Sequence, residues 1–386
     1  MHTETDTAGG PPGSRPGTLP EPGAGRPGTD SAAYGHPPVR IPVRAPASDG
    51  LAMPAEWAPH ARCWMAWPCL ESLWGQGLGR AREAYAAVAR AVGRFEPVTM
   101  LARPEHARHA ACLCGSGVEV MELPVEDAWT RDFGPTFVTD AQGRVAGISW
   151  LFNAWGHFYT ERSHDTDIAQ RILESQNMRR YPAPFILEGG SIHVDGQGTL
   201  ITTEQCLLDP RRNAGLTKAD FEELFAAYLG VRKVIWLGEG LEDDDTRGHV
   251  DIVCCFTRPG AVLLHRCTDP EDHNSRVYQD NLRRLELATD AAGRRLEIIP
   301  VDQPPRVDHG GKRLDLSYIN FYLANGGLVM SSFDAPETDA RARETLARAF
   351  PGREVVQVPS LDIFRGGGGI HCITQQQPAG PPLPPF

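Results

Sequence analysis

The chain has 386 residues, with 38 Lys and Arg against 49 Asp and Glu, a formal net charge of -11 and a pI near 5.6. That balance argues against nucleic acid as the main partner and favours a small cationic ligand. No apolar run reaches the ~18 residues that a membrane span requires, and the opening Met1-His-Thr-Glu4 lacks the charged-then-apolar pattern of an export signal.

The nine cysteines, at 63, 69, 112, 114, 206, 254, 255, 267 and 372, are odd in number and contain no C-x-x-C pair. Without an export signal, the expectation is reduced thiols in the cytoplasm and no structural zinc site. Residues 1–50 are rich in Pro and Gly and hold hardly any large apolar side chain before Ile41, so they read as a disordered tail. Residues 51–379 read as one catalytic domain, and 380–386 as a Pro-rich C-terminal tail.

Within the domain, Cys63-Trp-Met-Ala-Trp67 is an apolar strand stopped by Pro68. Residues 79–95 and 105–114 carry helical spacing. A repeated pattern follows. Residues 132–138 run through a turn at 140–143 into a strand reaching Leu151 and Phe152. Residues 188–194, 248–256 and 316–322 likewise run through glycine turns into strands at 199–203, 261–265 and 328–331. Helices are expected between the units, over 165–178, 217–229, 274–290 and 337–350, with Thr217 and Asp220 spaced as a capping box.

The heads of these hairpins, at 132, 188, 249, about 317 and 371, recur roughly every 60 residues, which predicts a radial repeat architecture. If the heads face one axis, their polar residues share one pocket. They comprise Trp129-Thr-Arg-Asp132, Glu188-Gly-Gly, Gly248-His-Val-Asp251 and Arg365-Gly-Gly-Gly-Gly-Ile-His-Cys372. Four glycines in a row let the backbone pass close to a ligand and deliver a thiol into a closed pocket.

A cysteine with a distant histidine is a candidate nucleophile pair. The extra carboxylates would raise the thiol pKa, which makes sense if the substrate brings its own positive charge. A guanidinium is planar, permanently charged and rich in donors, so paired carboxylates are its natural clamp. His-Val-Asp occurs twice, but His249 stands at the head of its unit while His193 lies at the far end of its strand. His249 is therefore the catalytic candidate and His193 a structural one. Adjacent strand residues point to opposite faces, so His371 is expected to be packed away from the nucleophile.

The segments Met53-Pro-Ala-Glu-Trp57, Trp129-Thr-Arg-Asp132, Glu188-Gly-Gly-Ser-Ile-His-Val-Asp195, Gly248-His-Val-Asp251 and Ile370-His-Cys-Ile-Thr-Gln-Gln-Gln-Pro378 resemble those of the agmatine deiminases, within the bacterial peptidylarginine-deiminase-type proteins of the guanidino-group-modifying superfamily. The resemblance spans Met53 to Pro378 and implies a five-bladed α/β propeller of the pentein kind, with pseudo-fivefold repeats. It implies Cys372 as nucleophile, His249 as acid and base, Glu188 as support for His249, Asp132 and Asp251 as guanidinium ligands and Trp129 as a pocket wall. No metal or organic cofactor is implied, and the product from agmatine would be N-carbamoylputrescine, a step toward putrescine.

Other readings stay open: a deiminase of free or peptidyl arginine, an amidinotransferase, or a non-catalytic guanidine or polyamine sensor. Nothing in the residues decides whether the chain forms a homo-oligomer. The chain departs from the family pattern at Gly369, where Asn is common, and at Arg247, where a small polar residue is common. Arg247 is expected to pair with Asp243, Asp244 or Asp245.

Overall fold

Each predicted hairpin forms, and each recruits a third strand by the same route. In this computed structural model, which describes residues 44–156 and 164–386, Thr136–Thr139 pairs antiparallel with Val145–Leu151, which then pairs parallel with Arg180–Ile186 across a helix, Ile168–Ser175. The same antiparallel-then-parallel order links His193–Val194, Thr199–Thr203 and Lys233–Leu237. It recurs in Cys254–Arg258, Ala261–Arg266 and Glu297–Asp302, and again in Tyr322–Ala324, Gly327–Ser332 and Glu354–Pro359.

The remaining sheet joins the two ends of the domain. His60–Ala66 pairs antiparallel with Gln375–Pro378 and parallel with Val98–Ala102, which continues to Val118–Glu122. Among the described residues there are thus five sheets of this construction and one two-stranded excursion, Asp308–His309 with Lys312–Arg313. The helices form where their apolar spacing and caps place them. Thr217 caps Lys218–Leu229 in the anticipated capping box with Asp220, and Leu78–Val92 buries Val88 and Val92.

The segments assigned to tails lie partly within the described residues. Pro46–Asp49 is a 3-10 turn, and the Tyr181 hydroxyl donates to Asp49 at 2.5 Å. At the other end Leu383 is buried, its N–H donating to the Val145 carbonyl at 2.7 Å, and the Phe386 ring lies under the guanidinium groups of Arg44 and Arg179. Residues 1–43 lie outside the described residues. No described helix is long and apolar enough to cross a membrane.

The hairpin heads differ from expectation in one respect. They are single helical turns that precede the strands: Thr130–Phe133, Gly189–Ser191 and Val250–Ile252, with residues 370–373 also in a turn. Each turn directs its side chains inward before the strand departs.

Neighbouring sheets are stitched by buried polar groups. Glu96 accepts from Tyr322 Oη at 2.6 Å and Asn325 N at 2.7 Å and lies 3.2 Å from His60 Nδ1. Asn325 in turn brackets the His60 backbone, accepting from its N–H and donating to its carbonyl. Glu96→Ala strands the two donors in the interior and should cost about 3 kcal/mol, read as a lower urea midpoint at unchanged slope.

Candidate active site

The chain is brought to Cys372 by close packing. A methyl group at Gly366 would collide with the Trp74 ring, and one at Gly369 with the Asn320 carboxamide and the Phe364 ring. The glycine run is therefore a tightly held approach, whose last turn presents Cys372, 4 % exposed. Asn320 fixes this turn from the fourth hairpin head. Its Oδ1 accepts from His371 N at 3.0 Å and its Nδ2 donates to Cys372 Sγ at 3.3 Å.

Around the thiol the three other heads converge. Asp251 Oδ2 lies 3.6 Å from Cys372 Sγ. Asp132 accepts from Gly190 N at 3.0 Å and from Trp155 Nε1 at 2.8 Å. His249 sits between two carboxylates, its Nδ1 3.8 Å from Asp132 and its Nε2 3.7 Å from Glu188. These separations are electrostatic rather than hydrogen-bonded. Among the described residues, both His249 nitrogens and Asp251 Oδ1 are buried without a hydrogen-bond partner, as binding and catalytic groups awaiting a ligand often are. Trp129 stacks on Trp74 at 5.9 Å and donates to Asp127 at 2.7 Å; a methyl group at Gly368 would meet its ring at 2.8 Å and Cys372 Sγ at 3.1 Å. All six predicted site residues thus share one buried cluster.

Loop chemistry holds His249 in place. Asp244 accepts from Thr246 N and Gly248 N, both at 2.7 Å, and from His249 N at 3.2 Å. This corrects the expected partner of Arg247. Asp244 is turned inward onto the main chain, Asp243 accepts from Arg313 N, and Asp245 pairs with Lys312. Arg247 pairs instead with Asp209, 3.3 Å away.

The electrostatics favour a charged acid and a neutral thiol. Burial, then Asp251 and Asp132, push the Cys372 thiol well above its ordinary value, against the pull of the Gly369 N–H and the Asn320 amide. Burial opposes charge on His249, but Asp132, Cys206 and Glu188 outweigh it and raise its pKa well above the usual imidazole range. Burial lifts the Asp132 carboxyl. For Glu188, burial is outweighed by Arg212 and His249, and for Asp251 by His371, so both stay low.

A profile for the Porphyromonas-type peptidyl-arginine deiminases matches residues 52–378. The chain belongs to that family. It is 47% identical over 362 residues to the agmatine deiminase of Pseudomonas aeruginosa (strain LESB58), covering 88% of this chain and 98% of that protein. Identity to the agmatine deiminase of Ectopseudomonas mendocina (strain ymp) is 45% over 360 residues, covering 86% and 97%. A solved agmatine deiminase structure from Enterococcus faecalis superposes with a TM-score of 0.84 at 36% identity, over 88% of this chain and 99% of that one. The α/β fold of this family member is that of the agmatine deiminase structures.

Several residues of the site carried no signal of their own in the sequence. Arg212 Nε holds both Glu188 oxygens at 2.9 Å, and its Nη2 donates to the Thr246 carbonyl at 2.6 Å. Glu56 and Arg131 lie inside quoted motifs, yet only the fold shows them meeting beneath Cys372, with 3.4 Å between Glu56 Oε1 and Arg131 Nη1. His193, read as structural, accepts from Phe256 N at 3.3 Å and lies 3.6 Å from Glu56. His371 departs from expectation. It sits in a turn, where strand alternation does not apply, and bonds to both Asp251 and Glu56.

Glu188, Cys206 and His249 also present donor atoms within 4.8 Å of one another. The Arg212 guanidinium on Glu188 opposes a metal cation there.

Gly190 has no room for a side chain among the charged groups of the cluster. A methyl group there would stand 2.5 Å from His249 Nδ1 and 3.0 Å from both Asp132 Oδ1 and Asp251 Oδ2. Gly190→Ala should lower kcat/KM at least about a hundred-fold, as displacement near 1 Å does, while the far-ultraviolet spectrum is retained.

Proposed function

We propose that this family member hydrolyses agmatine to N-carbamoylputrescine and ammonia through an amidino-cysteine intermediate on Cys372. The observation carrying this reading is a buried thiol beside Asp251 and near Asp132 and His249, with Asp251 Oδ1 and both His249 nitrogens unpartnered. The agmatine deiminases of P. aeruginosa and E. mendocina, similar over nearly their whole length, support agmatine as the substrate. In this reading the five sheets are the blades of a five-bladed propeller, whose heads meet at its axis. The enzyme works in the cytoplasm as part of putrescine synthesis.

The chemistry follows from charge. The guanidinium enters between Asp132 and Asp251, and its positive charge stabilises the Cys372 thiolate that the carboxylates alone disfavour, the thiol proton passing to water because His249 is already charged. The thiolate attacks the guanidinium carbon, forming a C–S bond and a tetrahedral centre. His249, charged beforehand, donates a proton to the departing nitrogen, and ammonia leaves. The now neutral imidazole takes a proton from water, whose oxygen attacks the amidino carbon. The C–S bond then breaks as the new hydroxyl gives its proton to water, the neutral ureido product leaves, and the thiolate regains a proton from water once the cation is gone. Glu188, fixed by Arg212, supports the charged form of His249 throughout.

Ammonia release should be seen with agmatine and be far weaker with arginine or a blocked arginine peptide, and Cys372→Ala should abolish it. Preference for arginine would instead make this a deiminase of that amino acid. A second expectation concerns the resting thiol. Because its pKa is raised, iodoacetamide should inactivate the free enzyme with a midpoint above the ~8.5 of an ordinary cysteine. A midpoint below neutrality would mean a preformed thiolate and sink the substrate-assisted step.

A further inference from the structure

His371 makes two short bonds that constrain its protonation. Its Nδ1 is 2.8 Å from Asp251 Oδ2 and its Nε2 is 2.8 Å from Glu56 Oε1. An ionised carboxylate only accepts, so a ring bonded to two of them must carry a proton on each nitrogen. We propose that His371 is a standing imidazolium that bridges Glu56 and Asp251, and that it acts as a positioning residue holding Asp251 ionised and oriented for the guanidinium. The proposal rests on the assignment of Asp251 as a guanidinium ligand made above.

The surroundings decide against the alternative, a neutral ring with one protonated acid. Glu56 faces the Arg131 guanidinium at 3.4 Å as well as His371, so its charge is matched from two elements, and His193, whose Nδ1 accepts from Phe256 N, lies 3.6 Å away. Asp251 feels Arg131 and His249 besides His371, with Asp132 and the Cys372 thiol on its other side. Burial and Arg131 disfavour a positive ring; the Arg131 Nε donates to the His371 carbonyl at 3.3 Å. Two carboxylates at hydrogen-bond distance outweigh one cation bonded to the backbone. Consistent with this, the His371 pKa is raised despite burial and Arg131, and Glu56 is held well below the usual carboxylate range.

The bridge has a consequence for binding. With Oδ2 engaged by His371, Asp251 cannot rotate freely, and Oδ1 is buried without a partner among the described residues. It is the atom available to a guanidinium N–H. The same cation, one residue from Cys372, offsets part of the repulsion between Asp251 and a forming thiolate.

Protonation can be read directly in the wild-type holoprotein by nitrogen-15 resonances of labelled histidine. The His–Cys dipeptide occurs once in the chain, so dual labelling of His and Cys picks out residue 371. Both ring nitrogens should remain protonated from about pH 6 to 9, where an ordinary histidine titrates near 6.5. A ring that titrates with a midpoint at or below that value overturns the proposal. This readout needs no turnover, so a failure of the agmatine reading would leave it standing. In His371→Gln, KM for agmatine should rise at least about ten-fold and rise further as pH falls from about 8 to 6, with kcat changed less. A packing role would lower the amount of folded enzyme and leave KM independent of pH, and that result would also overturn the proposal.

Discussion

The site depends on one constraint: a carboxylate withdrawn from water must be matched by positive charge. Glu56, Asp132, Glu188 and Asp251 are all buried at the centre of the described domain. Arg131 and Arg212 supply two fixed cations, and two histidines stand where they supply the rest. With His249 and His371 charged and Cys372 neutral, these named groups balance. A guanidinium then upsets the balance by one charge, and loss of the thiol proton restores it. In the proposed reaction the nucleophile is thus generated by the arrival of its target, a coupling that protects the thiol when the pocket holds no cation.

Such matching works only if the partners cannot drift apart, and the fold supplies that rigidity through short turns rather than strands. Thr130–Phe133 carries the buried Arg131 and Asp132, Val250–Ile252 carries the buried Asp251, and Gly189–Ser191 follows the buried Glu188 at its N-cap; each is anchored by hydrogen bonds to another turn. Gly190 N donates to Asp132, and Arg131 N donates to the Cys372 carbonyl at 3.1 Å. The C-terminal turn is in turn fixed by the strand pairing of Gln375–Pro378 with His60–Ala66. Closing the first sheet with the last strand therefore also locates the nucleophile.

Much of this was legible in the residues. Apolar strands, glycine turns, helical spacing and a capping box mark the hairpins and helices, and the polar heads mark the pocket, because both signals are local. The partners were less legible. Arg212 sits in an unremarkable Pro-Arg-Arg-Asn stretch, and only the tertiary fold brings it onto Glu188. Arg247 had three nearby aspartates in sequence and took a fourth, Asp209, because each nearer one was already engaged. His371 was misread for a definite reason: the alternation rule applies to a strand, and Ile370 to Ile373 form a turn.

Gly369 shows how one absent side chain can shape the chemistry. The family commonly has an asparagine there, whose loss from this chain looks at first like a lost amide beside the thiol. In this structure the space next to Gly369 is taken by the carboxamide of Asn320, fully buried and reaching from another head. It donates to Cys372 Sγ and accepts from His371 N, so one amide fixes both the nucleophile and the backbone of the bridging histidine. A side chain at 369 would compete for that volume. The glycine is then a condition for the Asn320 contact, and the donor to the developing thiolate comes from the fourth sheet rather than from the loop that carries the cysteine.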